Sequence, residues 1–244
     1  MSDDPENSTE QPYWLIIGDS HVDAIVAGAQ LLTLPCASIL VGGATAVGMR
    51  NPNSATNALS QFRDAAIPAR SKAIPVLQLG EVDCGFVIWY RAEKLGESIE
   101  SQMSASIKAY FGFVDELLCA GYPTVVVTGA IIPTIRDGEL GGEVANLRRE
   151  VNATQVERTL LTLAYNAGLR REAMSRALPF IDLTSDLLDV DRGVIADVWR
   201  HPDPTDHHLN PETGGKLWAH HLNALAQKGQ VFSTCGGGRK RDST

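Results

Sequence analysis

The sequence predicts an α/β fold, a three-layer α/β/α sandwich around a five-stranded parallel sheet, and three observations lead to it. Five apolar runs are continuous rather than alternating, the mark of strands buried on both faces. Helix-like stretches separate them, and strand alternating with helix gives a parallel sheet whose right-handed crossovers put helices on both sides. A chain of 244 residues can bury one large core, and the unbroken alternation argues for one domain rather than two.

The first strand is expected at residues 14–17, where an apolar run breaks off into Gly18-Asp19-Ser20-His21 as an amphipathic stretch begins at residues 22–32. The second lies at 37–41, with a helix at 55–67 after it. Strands at 74–79, 124–132 and 179–183 follow, with helices at 98–120 and 153–177 between them. Asn210 reads as the N-cap and Pro211 as the first position of a last helix running through Glu212 to Gln227. The segment from Arg136 to Arg158 is too long for a plain connection. It starts at the carboxyl end of a strand with the turn cluster Asp137-Gly138-Glu139-Leu140-Gly141-Gly142, and a substrate cover and a surface excursion fit it equally; residues 146–150 in it read as helical with a solvated charged face. Residues 1–12 and 229–244 have no apolar pattern and read as disordered tails, leaving 13–228 as the domain.

Two short stretches carry chemistry. Ser20 stands at a strand-to-helix corner, beside backbone N–H groups that favour a developing oxyanion, although Asp and Ser are also ordinary helix caps. A serine needs a base, and the base an acid that fixes its tautomer. Asp203-Pro204-Thr205-Asp206-His207-His208 supplies both, on a loop just before the last helix. A polar turn or a metal site would also use His and Asp, but no further ligand cluster supports a metal.

A serine after the first strand and a histidine before the last helix resemble the pattern of the SGNH or GDSL hydrolases, a resemblance that spans most of residues 13–228. It implies a flavodoxin-like sandwich with Ser20 as nucleophile and His208 as base. Gly42-Gly43 resembles the second block, where a glycine N–H serves the oxyanion hole; Gly43 is the better match. The third block of the family reads Gly-x-Asn-Asp, but here it is Gly80-Glu81-Val82-Asp83, and Val82 has no donor. Losing one oxyanion donor costs about 3–4 kcal/mol of transition-state stabilisation, so a substitute such as Asn51, Asn53 or Arg91 is called for. Gly-Glu-Val-Asp-Cys is similar to a variant in SGNH-like proteins of polysaccharide and secondary-metabolite loci. The family's aspartate, three residues before its histidine, is Thr205 here, and Asp206 and Asp203 flank it. Asp206 is favoured, since residues two apart in an extended segment point to one side. Asp19, Glu81, Asp83 and Arg91 are candidates for substrate contact, but acids at strand ends more often satisfy backbone donors and arginines. Cys84 reads as a small buried residue.

The resemblance implies an ester hydrolase acting on an O-acyl group of a carbohydrate or small metabolite. An O-acyltransferase with the same nucleophile, or a non-catalytic binding protein of the same fold, is the alternative. With a net charge of −8 and no basic face, neither nucleic acid nor an anionic membrane is an expected partner. No Gly-x-x-x-x-Gly-Lys loop is present, and no cofactor is expected. No signal peptide or run of 18 apolar residues is apparent, and the four cysteines form no disulfide framework or zinc spacing, so a cytoplasmic protein with reduced thiols is expected. The sequence carries no signal for oligomeric state.

Overall fold

The computed structural model describes residues 11–51, 53–138 and 151–229. The tails up to residue 10 and from 230, and residues 139–150 of the long segment with its expected helix, lie outside the described residues. Five strands form one parallel sheet: β1 (Tyr13–Gly18), β2 (Cys36–Leu40), β3 (Ala73–Gln78), β4 (Val126–Thr128) and β5 (Phe180–Ile181), in the order β2-β1-β3-β4-β5. β1 pairs with both β2 and β3, so the corner after Gly18 opens where the strand order reverses.

The continuous apolar runs of β1, β3 and β4 are explained by two packed faces, whereas β2, at the sheet edge, is only half-buried with Ser38 and Leu40 exposed, a correction to the expectation of burial for 37–41. Leu15, Ile17, Leu77 and Val127 point into one layer, and Trp14, Ile16, Val76 and Val126 into the other. The helices are α1 (Asp23–Ala27), α2 (Ala58–Ala66), α3 (Ile88–Leu95), α4 (Ile99–Cys119), α5 (Gln155–Ser175), α6 (Thr184–Leu187) and α7 (Pro211–Gln227). Phe62 of α2, Phe113 of α4 and Tyr165 of α5 cover the first face, while Ile25 of α1 and Trp218 and Leu222 of α7 cover the second. Burying side chains of this size stabilises the fold by roughly 1.5–3 kcal/mol each. The three-layer sandwich is therefore the observed architecture.

Several boundaries differ from those the sequence predicts. The stretch at 22–32 is divided at Gly28 into α1 and a 3-10 turn at Ala29–Leu31, and a Cβ at Gly28 would lie 2.3 Å from the carbonyl oxygen of Gly215 on α7. That close approach brings α7 against α1 and seats the loop that precedes α7. β4 ends at Thr128 because the side chain of Asn166 on α5 takes over the pairing, accepting from Ala130 N–H at 2.7 Å and donating to its carbonyl at 3.0 Å. The third block holds an unexpected helical segment, a π-helical turn at Asp83–Val87 that runs into α3. Cys84, Ile88 and Ala92 bury at helical spacing there. A small antiparallel pair, β6 (Leu188–Asp189) and β7 (Val194–Ile195), was not foreseen either. Among the described residues no helix is long and apolar enough to cross a membrane.

Candidate active site

β1 delivers Asp19, Ser20 and His21 to the carboxyl rim of the sheet. The buried Asp19 carboxylate accepts from the backbone N–H of His21 at 2.9 Å and contacts its ring Nδ1 at 3.0 Å, so it caps the 3-10 turn Ser20–Val22 and fixes the ring at once. Ser20 is half-buried at the head of that turn.

The loop before α7 builds the same hook a second time. Asp206 Oδ1 accepts from the backbone N–H of His208 at 2.9 Å and contacts its Nδ1 at 2.6 Å. Asp203 instead accepts from the N–H and hydroxyl of Thr205, at 2.8 and 2.7 Å, so Asp206 is the acid that holds the imidazole. A carboxylate on Nδ1 selects the tautomer whose Nε2 carries a lone pair. That Nε2 is buried and has no hydrogen-bond partner among the described residues. Burial acts against ionisation of Asp206, but the His208 N–H and ring and the nearby His201 outweigh it and hold the carboxyl below its ordinary range. The Asn210 carboxamide oxygen caps α7, accepting from Glu212 and Thr213 N–H, with Pro211 in the first turn. Asn210 N–H donates to Trp199 carbonyl at 2.8 Å, Arg200 pairs with Leu209 as a bridge and donates to the Thr134 carbonyl, and the Thr134 hydroxyl donates to the His207 carbonyl. The base of the histidine loop is thereby tied to the chain leaving β4.

These ties bring three imidazoles together. The ring centroid of His21 lies 4.9 Å from that of His208 and 5.6 Å from that of His207, and the last two are 4.1 Å apart. His21 adjoins Ser20 in the chain, so the serine corner and the histidine loop share one site. The sequence reading passed over His21 and saw no further ligand to join the histidine pair. A signal was present, because Asp-x-His occurs in both blocks.

The second and third blocks meet through Asp83. Its fully buried carboxylate accepts from Ala46 N–H at 2.7 Å, Val47 N–H at 3.0 Å and the Ser106 hydroxyl at 2.7 Å. Burial pushes this carboxyl up, the three donors pull it back, and the charge of Asp19 adds to the rise. Asp83 therefore clamps the turn after Gly42-Gly43 and is not free for a substrate, a correction to its candidacy for substrate contact. Arg91 sits half-buried on α3, and its Nε donates to Gln102 of α4 at 2.9 Å. Gly43 is exposed with φ +69°, a backbone that favours glycine, and among the described residues only Thr56 lies near its absent side chain. Glu81 is fully buried, with Oε2 3.6 Å from His21 Nε2. Val82 is half-buried at the entry to the π-helical turn. Of the expected substitutes for the missing donor, Asn51 and Asn53 are exposed, and the Asn51 side chain turns back to accept from Asn53 N–H. Burial raises the Cys84 thiol well above its ordinary value, which keeps it protonated and a poor nucleophile.

No protein-family model matches this chain, and no curated protein matches it. Solved structures do. A GDSL-like lipase of Bacteroides thetaiotaomicron superposes with a TM-score of 0.57 at 13% identity, over 94% of this chain and 95% of that one. Est24, a carbohydrate acetylesterase of Sinorhizobium meliloti, superposes with a TM-score of 0.58 at 13% identity, over 89% of this chain and 100% of that one. A proposed acylhydrolase of Bacteroides fragilis gives 0.59 at 14% identity, over 94% and 100%. The fold is thus that of the SGNH/GDSL hydrolases.

Proposed function

We propose that the protein is an SGNH-type serine hydrolase that cleaves an O-acyl ester on a carbohydrate or small metabolite. The observation that carries this reading is the Asp206–His208 contact of 2.6 Å, which leaves a buried Nε2 without a hydrogen-bond partner among the described residues, on a ring 4.9 Å from that of His21, the chain neighbour of Ser20. In this reading Ser20 Oγ attacks the ester carbonyl while His208 Nε2 takes its proton. The N–H groups of Ser20 and Gly43 hold the oxyanion. The tetrahedral intermediate collapses with cleavage of the C–O bond, His208 protonates the departing alcohol, and water then releases the acid from the serine by the same steps in reverse. Asp206 orients the imidazole and stabilises its charge, and Asp83 keeps the Gly43 loop in place. The acetylesterase activity of one structural neighbour supports a carbohydrate ester as substrate.

A second reading has one observation in its favour. Val82 stands where the family's asparagine would donate to the oxyanion, which suits slower chemistry, acyl transfer to a sugar hydroxyl, or a binding protein. A fluorophosphonate probe separates catalysis from binding. We expect it to label the intact chain and not Ser20→Ala; labelling that survives the substitution rejects Ser20 as nucleophile.

A further inference from the structure

The two acid–histidine hooks have a joint consequence beyond hydrolysis. We propose that His21, His207 and His208 form a binding site for one divalent transition-metal ion of the zinc type, and that loading it silences the serine centre. The metal site itself stands on the geometry; only its inhibitory effect rests on the hydrolase reading.

Each of the three histidines offers one ring nitrogen, and those nitrogens all lie within 4.8 Å of one another. Nitrogens around a tetrahedral zinc at about 2.0–2.1 Å stand roughly 3.4 Å apart, so modest ring rotations close the set. Two of the rings are already held as metal-bound histidines are held. Asp19 engages Nδ1 of His21 at 3.0 Å and Asp206 engages Nδ1 of His208 at 2.6 Å, the outer carboxylate that fixes the tautomer and leaves Nε2 to the ion. Glu81 Oε2, 3.6 Å from His21 Nε2, adds a buried anionic charge beside one of the three rings. His207 is half-buried, which leaves a way in from solvent. Imidazole ligands select zinc, cobalt, nickel or copper over magnesium and calcium, whose sites are made of oxygen. An ion there takes the His208 lone pair that would accept the serine proton, so metal and substrate chemistry exclude each other.

The test uses the full chain without a histidine tag. Isothermal titration with Zn²⁺ should show one ion per chain, and Co²⁺ should give the intense visible absorption of a tetrahedral site, while Mg²⁺ and Ca²⁺ give neither. His207→Ala, at a half-buried position, should weaken Zn²⁺ binding by at least about 10-fold, and His21→Gln should do the same if it folds. Ser20→Ala should bind Zn²⁺ as the parent does, which keeps this result separate from the nucleophile's. Zn²⁺ should also slow fluorophosphonate labelling of the parent. Binding without any labelling would support the metal site and remove only the hydrolase reading. The proposal is overturned if Zn²⁺ does not bind, or if His207→Ala leaves its affinity unchanged. It is equally overturned if the affinity falls only on replacing His220 and His221, the surface pair beside Asp186.

Discussion

Asp19-Ser20-His21 and Asp206-His207-His208 make the same hook with the same atoms, yet they sit in different surroundings. In both, one carboxylate oxygen accepts from the N–H two residues on and contacts that residue's Nδ1. The first pair is sealed, with side-chain exposures of 0% for Asp19 and 1% for His21. The second is open, at 34% for Asp206 and 20% for His208. The comparison teaches that a local i to i+2 pattern sets the tautomer, whereas burial and neighbours decide what the freed nitrogen can do. His21 Nε2 lies 3.6 Å from the buried Glu81 carboxylate, whereas His208 Nε2 has no hydrogen-bond partner among the described residues.

The largest expected effect breaks the symmetry of the two hooks in function. His208→Ala should lower kcat on a p-nitrophenyl ester by about 10³-fold or more, because the serine loses its base. His207→Ala should stay within about 10-fold. A larger loss at His207 would reverse the roles drawn here. Next in size is the acid. Asp206→Asn should cost roughly 10²–10⁴-fold in kcat by releasing the ring's tautomer, and Asp203→Asn, which serves only Thr205, should change little. Equal rates for both variants would mean that the histidine works without an acid.

The third effect is on stability and runs the other way. Asp19→Ala strands a buried His21 N–H and ring N–H, which should cost about 1–3 kcal/mol or more in urea unfolding. Asp206→Ala, at the open hook, should cost about 1 kcal/mol or less. Similar values for the two would show that burial does not distinguish the hooks. The smallest effect concerns the exposed knot behind the open hook, where Asp197 accepts from Arg136, Arg192 and Arg200. Arg192 first, then Arg136, pull its carboxyl down to about 2 against a small opposing effect of burial. A lowered folded pKa stabilises the fold above the ordinary carboxylate value, and that contribution is lost as pH falls from there through about 2. The Tm gap between the parent and Asp197→Ala should thus be small and constant near neutrality and should close in strong acid. A gap that is unchanged down to pH 2 would remove the knot's charge from the account.

Local pattern and chain order determined much of this protein. The five strands of the parallel sheet, the cap of α7 by Asn210 and the arrival of Ser20 at a strand end all follow from apolar continuity and capping chemistry, which act over a few residues, although the edge strand β2 is only partly buried. Preference for Asp206 over Asp203 was legible too, since an i to i+2 contact needs no distant partner. What only the tertiary structure decided involves residues far apart in the chain. Asp83 became a clamp on Ala46 and Val47, Arg91 turned to Gln102, and Asn166 ended β4, because each buried polar group takes whichever partner the packed layers bring within reach. His21 joined His207 and His208 in the same way: β1 and the loop before α7 carry them to one rim, and the Gly28–Gly215 contact that sets α7 against α1 has no signature in either segment alone.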